Sequence, residues 1–148
     1  MVRLNSMDII ILLILVYGFV LAGCSEKPKE PYTQKGEASY YARFFSGETT
    51  ASGDIYQPDA LTAAHMHLPL GTVVMVTNLE NGKSVEVTIN DRGPYIDGRI
   101  IDLSRAAANE LEIIEDGVVM VELKVTKAAE GYTLSDSVAT DRINNLNQ

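Results

Sequence analysis

Two histidines, three of the aspartates and four tyrosines, all between positions 40 and 102, are the side chains of this 148-residue sequence whose types and spacing could do chemistry. Asn90-Asp91-Arg92-Gly93-Pro94-Tyr95 ends a β-like run and turns sharply. Gly93-Pro94 fixes the backbone after the Asp-Arg pair, so Asp91 and Arg92 are held at a strand end, where a carboxylate can face a groove. An equal reading is that Asp91 only pairs Arg92 or caps the turn. Asp102 lies in Ile100-Ile101-Asp102-Leu103-Ser104, an acid inside an apolar strand pattern. Burying it is costly unless it is hydrogen-bonded or catalytic. Desolvation favours the protonated form that a general acid for glycoside cleavage must hold. The plainer alternative is that Asp102, two residues before Ser104, serves the start of a helix. Asp54 stands in the turn-rich Thr50-Ala51-Ser52-Gly53-Asp54-Ile55-Tyr56. Tyr40, Tyr41, Tyr56 and Tyr95 offer rings for stacking on sugars, with core packing an equal reading at half of these positions. His65 and His67, on a strand, would point both rings to one side. A metal site needs a third and fourth ligand, and neither HExxH nor a cysteine cluster is present. No metal and no cofactor are expected, and a loop-bonding role is the residue-level expectation for both histidines.

The elements that must position these groups are mostly β. Gly36 to Arg43, Thr72 to Asn78, Ser84 to Asn90, Arg99 to Leu103 and Gly117 to Lys127 carry β-branched or alternating patterns. Glu80-Asn81-Gly82-Lys83 holds the Asn-Gly pair that two-residue hairpin turns prefer. One helix is expected over Arg105 to Ile114, capped by Ser104 and presenting Ala107, Leu111 and Ile114 on one face. Five or six short strands around one helix suggest a small closed barrel, which leaves no exposed sheet edge.

The first 23 residues read as a signal peptide: a weakly basic start, an apolar run from Ile9 to Val20, then Leu21-Ala22-Gly23-Cys24. That run is short for a spanning helix. Cys24 is the single cysteine, so it can form no internal disulfide. Residues 24–35 read as a polar tether, 36–127 as one folded domain, and 128–148 as a loose tail with a short helix near Asp141 to Leu146. The net charge of −8 argues against a nucleic-acid partner, which would need a basic face, and against electrostatic adhesion to anionic lipid.

Taken in order, these pieces resemble the rare lipoprotein A family, septal-ring lytic transglycosylases built on a double-psi β-barrel related to expansins. The resemblance is carried by Gly36-Glu37-Ala38-Ser39-Tyr40-Tyr41, Thr50-Ala51-Ser52-Gly53, Leu61-Thr62-Ala63-Ala64-His65 and Leu68-Pro69-Leu70-Gly71. It continues through Asn90-Asp91-Arg92-Gly93-Pro94 and Gly98-Arg99-Ile100-Ile101-Asp102-Leu103-Ser104-Arg105-Ala106-Ala107. It implies a mainly β fold, a six-stranded double-psi β-barrel with one or two short helices. It also implies a lipobox at Leu21 to Cys24 with lipid on Cys24; Ser25 after it favours an outer-membrane address facing the periplasm in a Gram-negative envelope.

The implied cleft is lined by Asp54, His65 and Asp91, with Asp102 at the position of a key expansin aspartate and Tyr40, Tyr41, Arg92 and Tyr95 as substrate contacts. The implied activity is endolytic cleavage of the MurNAc-GlcNAc β-1,4 bond of peptidoglycan with a 1,6-anhydro product. That reaction needs one acid/base group, assigned to Asp91 with His65 orienting it. Asp102 is the competing acid, and Asp54 supports the oxocarbenium-like charge. The sequence departs from the family at Asp54, where Glu is usual, and at Ala42, Gln57 and Glu112, and 148 residues leave no room for the C-terminal peptidoglycan-binding domain of many members. The rival expectation is a non-catalytic, expansin-like module that grips or loosens peptidoglycan, and a third is a lipoprotein scaffold for cell-division proteins.

Overall fold

The computed structural model describes residues 32–41 and 46–133. The signal peptide, Cys24, most of the tether and the helix expected near 141–146 lie outside the described residues.

Six strands close into a barrel: β1 (Thr33–Tyr40), β2 (Thr62–Ala64), β3 (Val73–Asn78), β4 (Ser84–Asp91), β5 (Arg99–Leu103) and β6 (Val119–Lys127). Their order around the wall is β1-β5-β2-β4-β3-β6. Two pairings, β1 with β5 and β2 with β4, are parallel, and the rest are antiparallel. This is the mainly β closed barrel that the strand pattern implied. Alternation is the cause: Val85, Val87 and Ile89 on β4 and Val119, Val121, Leu123 and Val125 on β6 are buried, while Glu86, Met120 and Lys124 between them face outward. Each such aliphatic side chain removed from water contributes about 1.5–3 kcal/mol. Ile101, Leu103 and Val74 join them, and α1 (Arg105–Glu110) closes one end with Ala107 and Ala108, followed by Leu111 and Ile113.

Four details differ from expectation. β1 starts at Thr33, three residues before the expected boundary at Gly36. Thr33 to Lys35 pair with Lys124 to Glu122, and Lys35 meets Glu122 at 3.2 Å. These residues carry a polar outer face, so they looked like tether. α1 ends at Glu110, short of Ile114, because Glu112 adopts φ 53° and the Asn78 and Asn81 amides donate to the Leu111 carbonyl. The β3–β4 connection is longer than a two-residue turn: Asn78 N–H meets the Lys83 carbonyl, and Gly82 (φ 75°) donates back to Asn78. β2 has only three residues, two of them alanines, and so shows no periodicity of its own.

Candidate active site on the barrel rim

The register gathers the polar groups. Ser39 on β1 pairs with Asp102 on β5, Asp102 pairs with Ala64 on β2, and Ala64 pairs with Asp91 on β4. Neighbouring strands are about 4.8 Å apart, so the two aspartate backbones stand about 10 Å apart with only the Ala64 methyl between them. Register shifts at Glu37/Ala38 and Ala63/Ala64 fall beside this row, the kind of irregularity that re-aims side chains at a rim.

Asp91 is half-buried at the end of β4 and accepts three hydrogen bonds. Tyr41 Oη donates to Oδ2 at 2.7 Å, and the N–H groups of Ala51 and Arg92 donate to Oδ1 at 2.9 and 2.8 Å. Ala51 reaches it because the 50–54 turn folds back over the strand end, held by Ser52 N–H on the Asn90 carbonyl at 3.0 Å. Burial, then the bond to Asp91 and the charge of Asp91, push the Tyr41 phenol far above its ordinary range. Its ring lies 4.8 Å from that of Tyr56, tilted by 44°. Burial also raises Tyr56, opposed by a hydrogen bond from the Arg105 backbone and by the Arg105 charge.

Asp102 is differently placed. Arg99 Nη2 lies 2.7 and 2.8 Å from its two oxygens, and Ser39 Oγ donates to Oδ1 at 2.5 Å. It is therefore ion-paired, and the expected desolvated acid without a counter-charge is not what the strand holds. A groove of about 590 Å³ joins the two carboxylates, with Tyr41, Arg92, Tyr95, Glu48 and Arg99 in its walls.

Of the expected site residues, the groove thus brings together Asp91, Asp102, Tyr41, Arg92 and Tyr95. Arg92 does not pair with Asp91: its Nη1 donates to the carbonyls of His65 and Leu68 at 3.1 and 2.8 Å. Tyr95 is 77% exposed at the lip. Three expectations need correction. Tyr40 packs against the core and donates to the Ile114 carbonyl at 3.0 Å, because adjacent strand residues face opposite sides and Tyr41 has the groove side. Asp54 is exposed at the tip of its turn, where it accepts from Ser52 Oγ at 2.7 Å; it does not line the groove, whereas Glu48 does. The turn is a hairpin closed by the Thr49–Ile55 bridge, so it carries Asp54 outward.

His65 is 1% exposed. Its Nδ1 accepts from the N–H groups of His67 and Leu68 at 3.1 and 3.0 Å, which leaves the proton on Nε2, 3.0 Å from Gln34 Oε1. The imidazole is thus almost wholly buried: it lies outside the groove that holds Asp91 and borders the neighbouring depression lined by Gln34, His67 and Tyr95. It organises residues 65–68 and ties them to β1, and its link to the acid is through the main chain, His65 N–H to the Asp91 carbonyl at 3.2 Å. Ser39, Glu48 and Arg99 were not singled out from sequence. Their importance depends on strand register, which leaves no local mark. Among the described residues, no three His, Cys, Asp or Glu side chains are gathered so as to hold a metal ion.

A family model described as lytic transglycolase matches residues 33–123. The endolytic peptidoglycan transglycosylase RlpA of Pasteurella multocida is 54% identical over 101 residues, which are 67% of this chain and 34% of that protein. The probable endolytic peptidoglycan transglycosylase RlpA of Treponema pallidum is 54% identical over 94 residues, 64% of this chain and 30% of that one. The chain therefore spans about a third of the length of these curated relatives. Among solved structures, the Streptomyces papain inhibitor superposes with a TM-score of 0.55 at 26% identity, over 65% of this chain and 96% of its own. The apo expansin of Clavibacter michiganensis gives a TM-score of 0.51 at 23% identity, over 69% and 54%, and shares the barrel.

Proposed function

The chain belongs to the lytic transglycolase family, and on that premise we propose that its barrel cleaves peptidoglycan glycan strands internally at the MurNAc-GlcNAc β-1,4 bond, leaving a 1,6-anhydro end. One observation carries this reading. The groove holds two rim aspartates, but Asp102 is committed to Arg99 and Ser39, whereas Asp91 has no ion-pair partner among the described residues. Ordinary glycosidases use a pair of carboxylates. An intramolecular transglycosylation needs a single group that gives a proton and later takes one back.

In the proposed reaction the Asp91 carboxyl gives its proton to the glycosidic oxygen as the bond from C1 of the muramic sugar breaks. The carboxylate left behind then takes the proton of the C6 hydroxyl as that oxygen closes onto C1, so no water enters. A positioned proton donor of this kind contributes typically 10²–10⁴-fold. Tyr41 stays a phenol throughout and remains a donor to Oδ2, which fixes the carboxyl in the groove. The backbone N–H groups of Ala51 and Arg92 hold the other oxygen. His65 acts by holding the 65–68 loop, and Asp54 by bracing the turn that carries Ala51. Glu48 takes the place expected of Asp54 as the further carboxylate facing the developing positive charge.

The test is digestion of stem-peptide-free glycan strands by wild type and Asp91→Asn. Release of 1,6-anhydromuramic ends by the wild type alone supports the proposal. Products with ordinary reducing ends would move the protein to the hydrolases, and retention on peptidoglycan without fragments would leave a binding or loosening module. The proposal also places the protein in the cell envelope, tethered by lipid on Cys24. Incorporation of labelled palmitate that is lost in Cys24→Ser checks that location.

A further inference from the structure

The acid-bearing groove is the middle one of three connected depressions. Tyr41 is shared with a depression of about 350 Å³ lined by Tyr56, Pro58, Asp59 and Arg105. On the other side, Tyr95 is shared with one of about 340 Å³ that runs past His67. Those two outer depressions have no residue in common, and the acid-bearing groove adjoins both. Each falls within the roughly 300–1,000 Å³ of small-ligand sites.

We infer that the Tyr56–Pro58–Asp59–Arg105 depression is a saccharide subsite away from the reacting bond, so that a bound strand extends across the Tyr41 ring beyond the acid. The inference rests on the functional reading above. Its chemistry fits a pyranose, which offers apolar C–H faces and a rim of hydroxyl groups. Pro58 and the half-buried Tyr41 ring, backed by the buried Tyr56 ring, supply an apolar floor, the surface on which carbon–hydrogen faces pack. Asp59 accepts from hydroxyl groups and Arg105 donates to them.

Neither charge is committed to an ion pair among the described residues. Arg105 pairs with no carboxylate among the described residues, and Asp59, exposed beside it, is not within ion-pair distance of it. The other rim arginines, Arg92 and Arg99, are by contrast held by carbonyls and by Asp102. A carboxylate and a guanidinium left apart on an aromatic floor present both halves of the hydrogen-bonding that a sugar can accept and return.

The experiment measures binding of chito-oligosaccharides of increasing length to full-length Asp91→Asn by calorimetry, alone and combined with Arg105→Ala or Asp59→Ala. The expected result is an affinity that keeps rising with length after the central groove is filled. Each added substitution should remove about tenfold or more of the long ligand's affinity, the range of a lost hydrogen bond to a charged group, with the shortest ligand unaffected. Arg105→Lys should restore part of the loss, and unchanged thermal unfolding midpoints would exclude a folding defect. Affinity that stops rising at the central groove, or losses equal for short and long ligands, would overturn the inference and leave the enzymatic reading intact. Binding at no length would overturn the inference, and anhydro-product release from peptide-free strands would decide the enzymatic reading separately.

Discussion

Replacing Tyr41 with phenylalanine removes one oxygen and, with it, the donor that holds Asp91 Oδ2 at 2.7 Å. The ring stays, and so does its contact with Tyr56 at 4.8 Å. The two surviving donors, Ala51 and Arg92, both bond Oδ1. The carboxyl then keeps an anchor at one oxygen and can turn about it, so the reacting oxygen loses its fixed position. A hydrogen bond to a charged group is worth about 1.5–3 kcal/mol. If that is expressed only when the proton moves, kcat falls roughly 10- to 150-fold with KM little changed. Initial rates of anhydro-product release on peptide-free strands measure it, with thermal unfolding as control. A kcat within about twofold of wild type, or a raised KM at full kcat, would refute the positioning role and leave Tyr41 a substrate contact. The pH profile adds a second check. Burial and Asp91 hold the Tyr41 phenol above its usual range, so the wild-type alkaline limb does not belong to Tyr41 and should persist in the variant.

The same phenol makes folding pH-dependent. Its folded-state value is raised above the ordinary 10.0, so its stabilising contribution is complete below about pH 10 and is lost as pH rises toward the folded-state value; the urea midpoint should fall less steeply above pH 10 in Tyr41→Phe. His65→Ala leaves the N–H groups of His67 and Leu68 without their acceptor and opens a cavity, and should lower stability by about 2–5 kcal/mol in denaturant titrations. Residual activity in that variant should keep the wild-type pH profile, whereas a changed profile would restore His65 to proton transfer. Gly36→Ala puts a methyl 2.6 Å from Ile100 Cγ2 and should cost about 1–3 kcal/mol, partly recovered in the Gly36→Ala/Ile100→Ala double variant, which removes that γ carbon. Arg99→Ala strips a partly buried carboxylate of its cation and should destabilise by up to about 3 kcal/mol, with Asp102→Asn in the same chain recovering part of it.

The barrel was legible where burial imposes a period. The alternation of Val85, Val87 and Ile89, and of Val119 to Val125, marked two of the longest strands, because a one-residue slip would expose every one of those side chains. The position of Asp91 at a strand end was legible too, since β4 stops at it and Gly93-Pro94 follows one residue later. What escaped depends on pairing across the chain. β2 is three residues of small side chains, yet it is the strand that brings Asp91 and Asp102 to the two sides of Ala64. The sequence shows that Tyr40 and Tyr41 face opposite ways, but which one faces the groove follows only from how β1 docks on β5 and β6. Likewise, Asp54 lies in the conspicuous turn while Glu48, with no such mark, lines the groove.

The two aspartates show why register matters for chemistry and not only for shape. Both end up half-buried on one rim, and the sequence offered Asp91 as the acid with Asp102 as its competitor. Their partners separate them. Asp102 has a guanidinium on both oxygens, so protonating it would leave Arg99 as an unpaired, partly buried cation. Among the described residues, the donors to Asp91 are a phenol and two backbone N–H groups, none of which carries a charge. A group that must alternate between carboxylic acid and carboxylate within one turnover strands no counter-ion when its donors are neutral dipoles. On the function proposed above, that asymmetry favours Asp91 as the proton carrier, while Asp102 ties β5 to β1 through Ser39. It makes a definite demand: Asp91→Asn must abolish anhydro-product formation in a folded protein, and Asp102→Asn must leave a measurable rate.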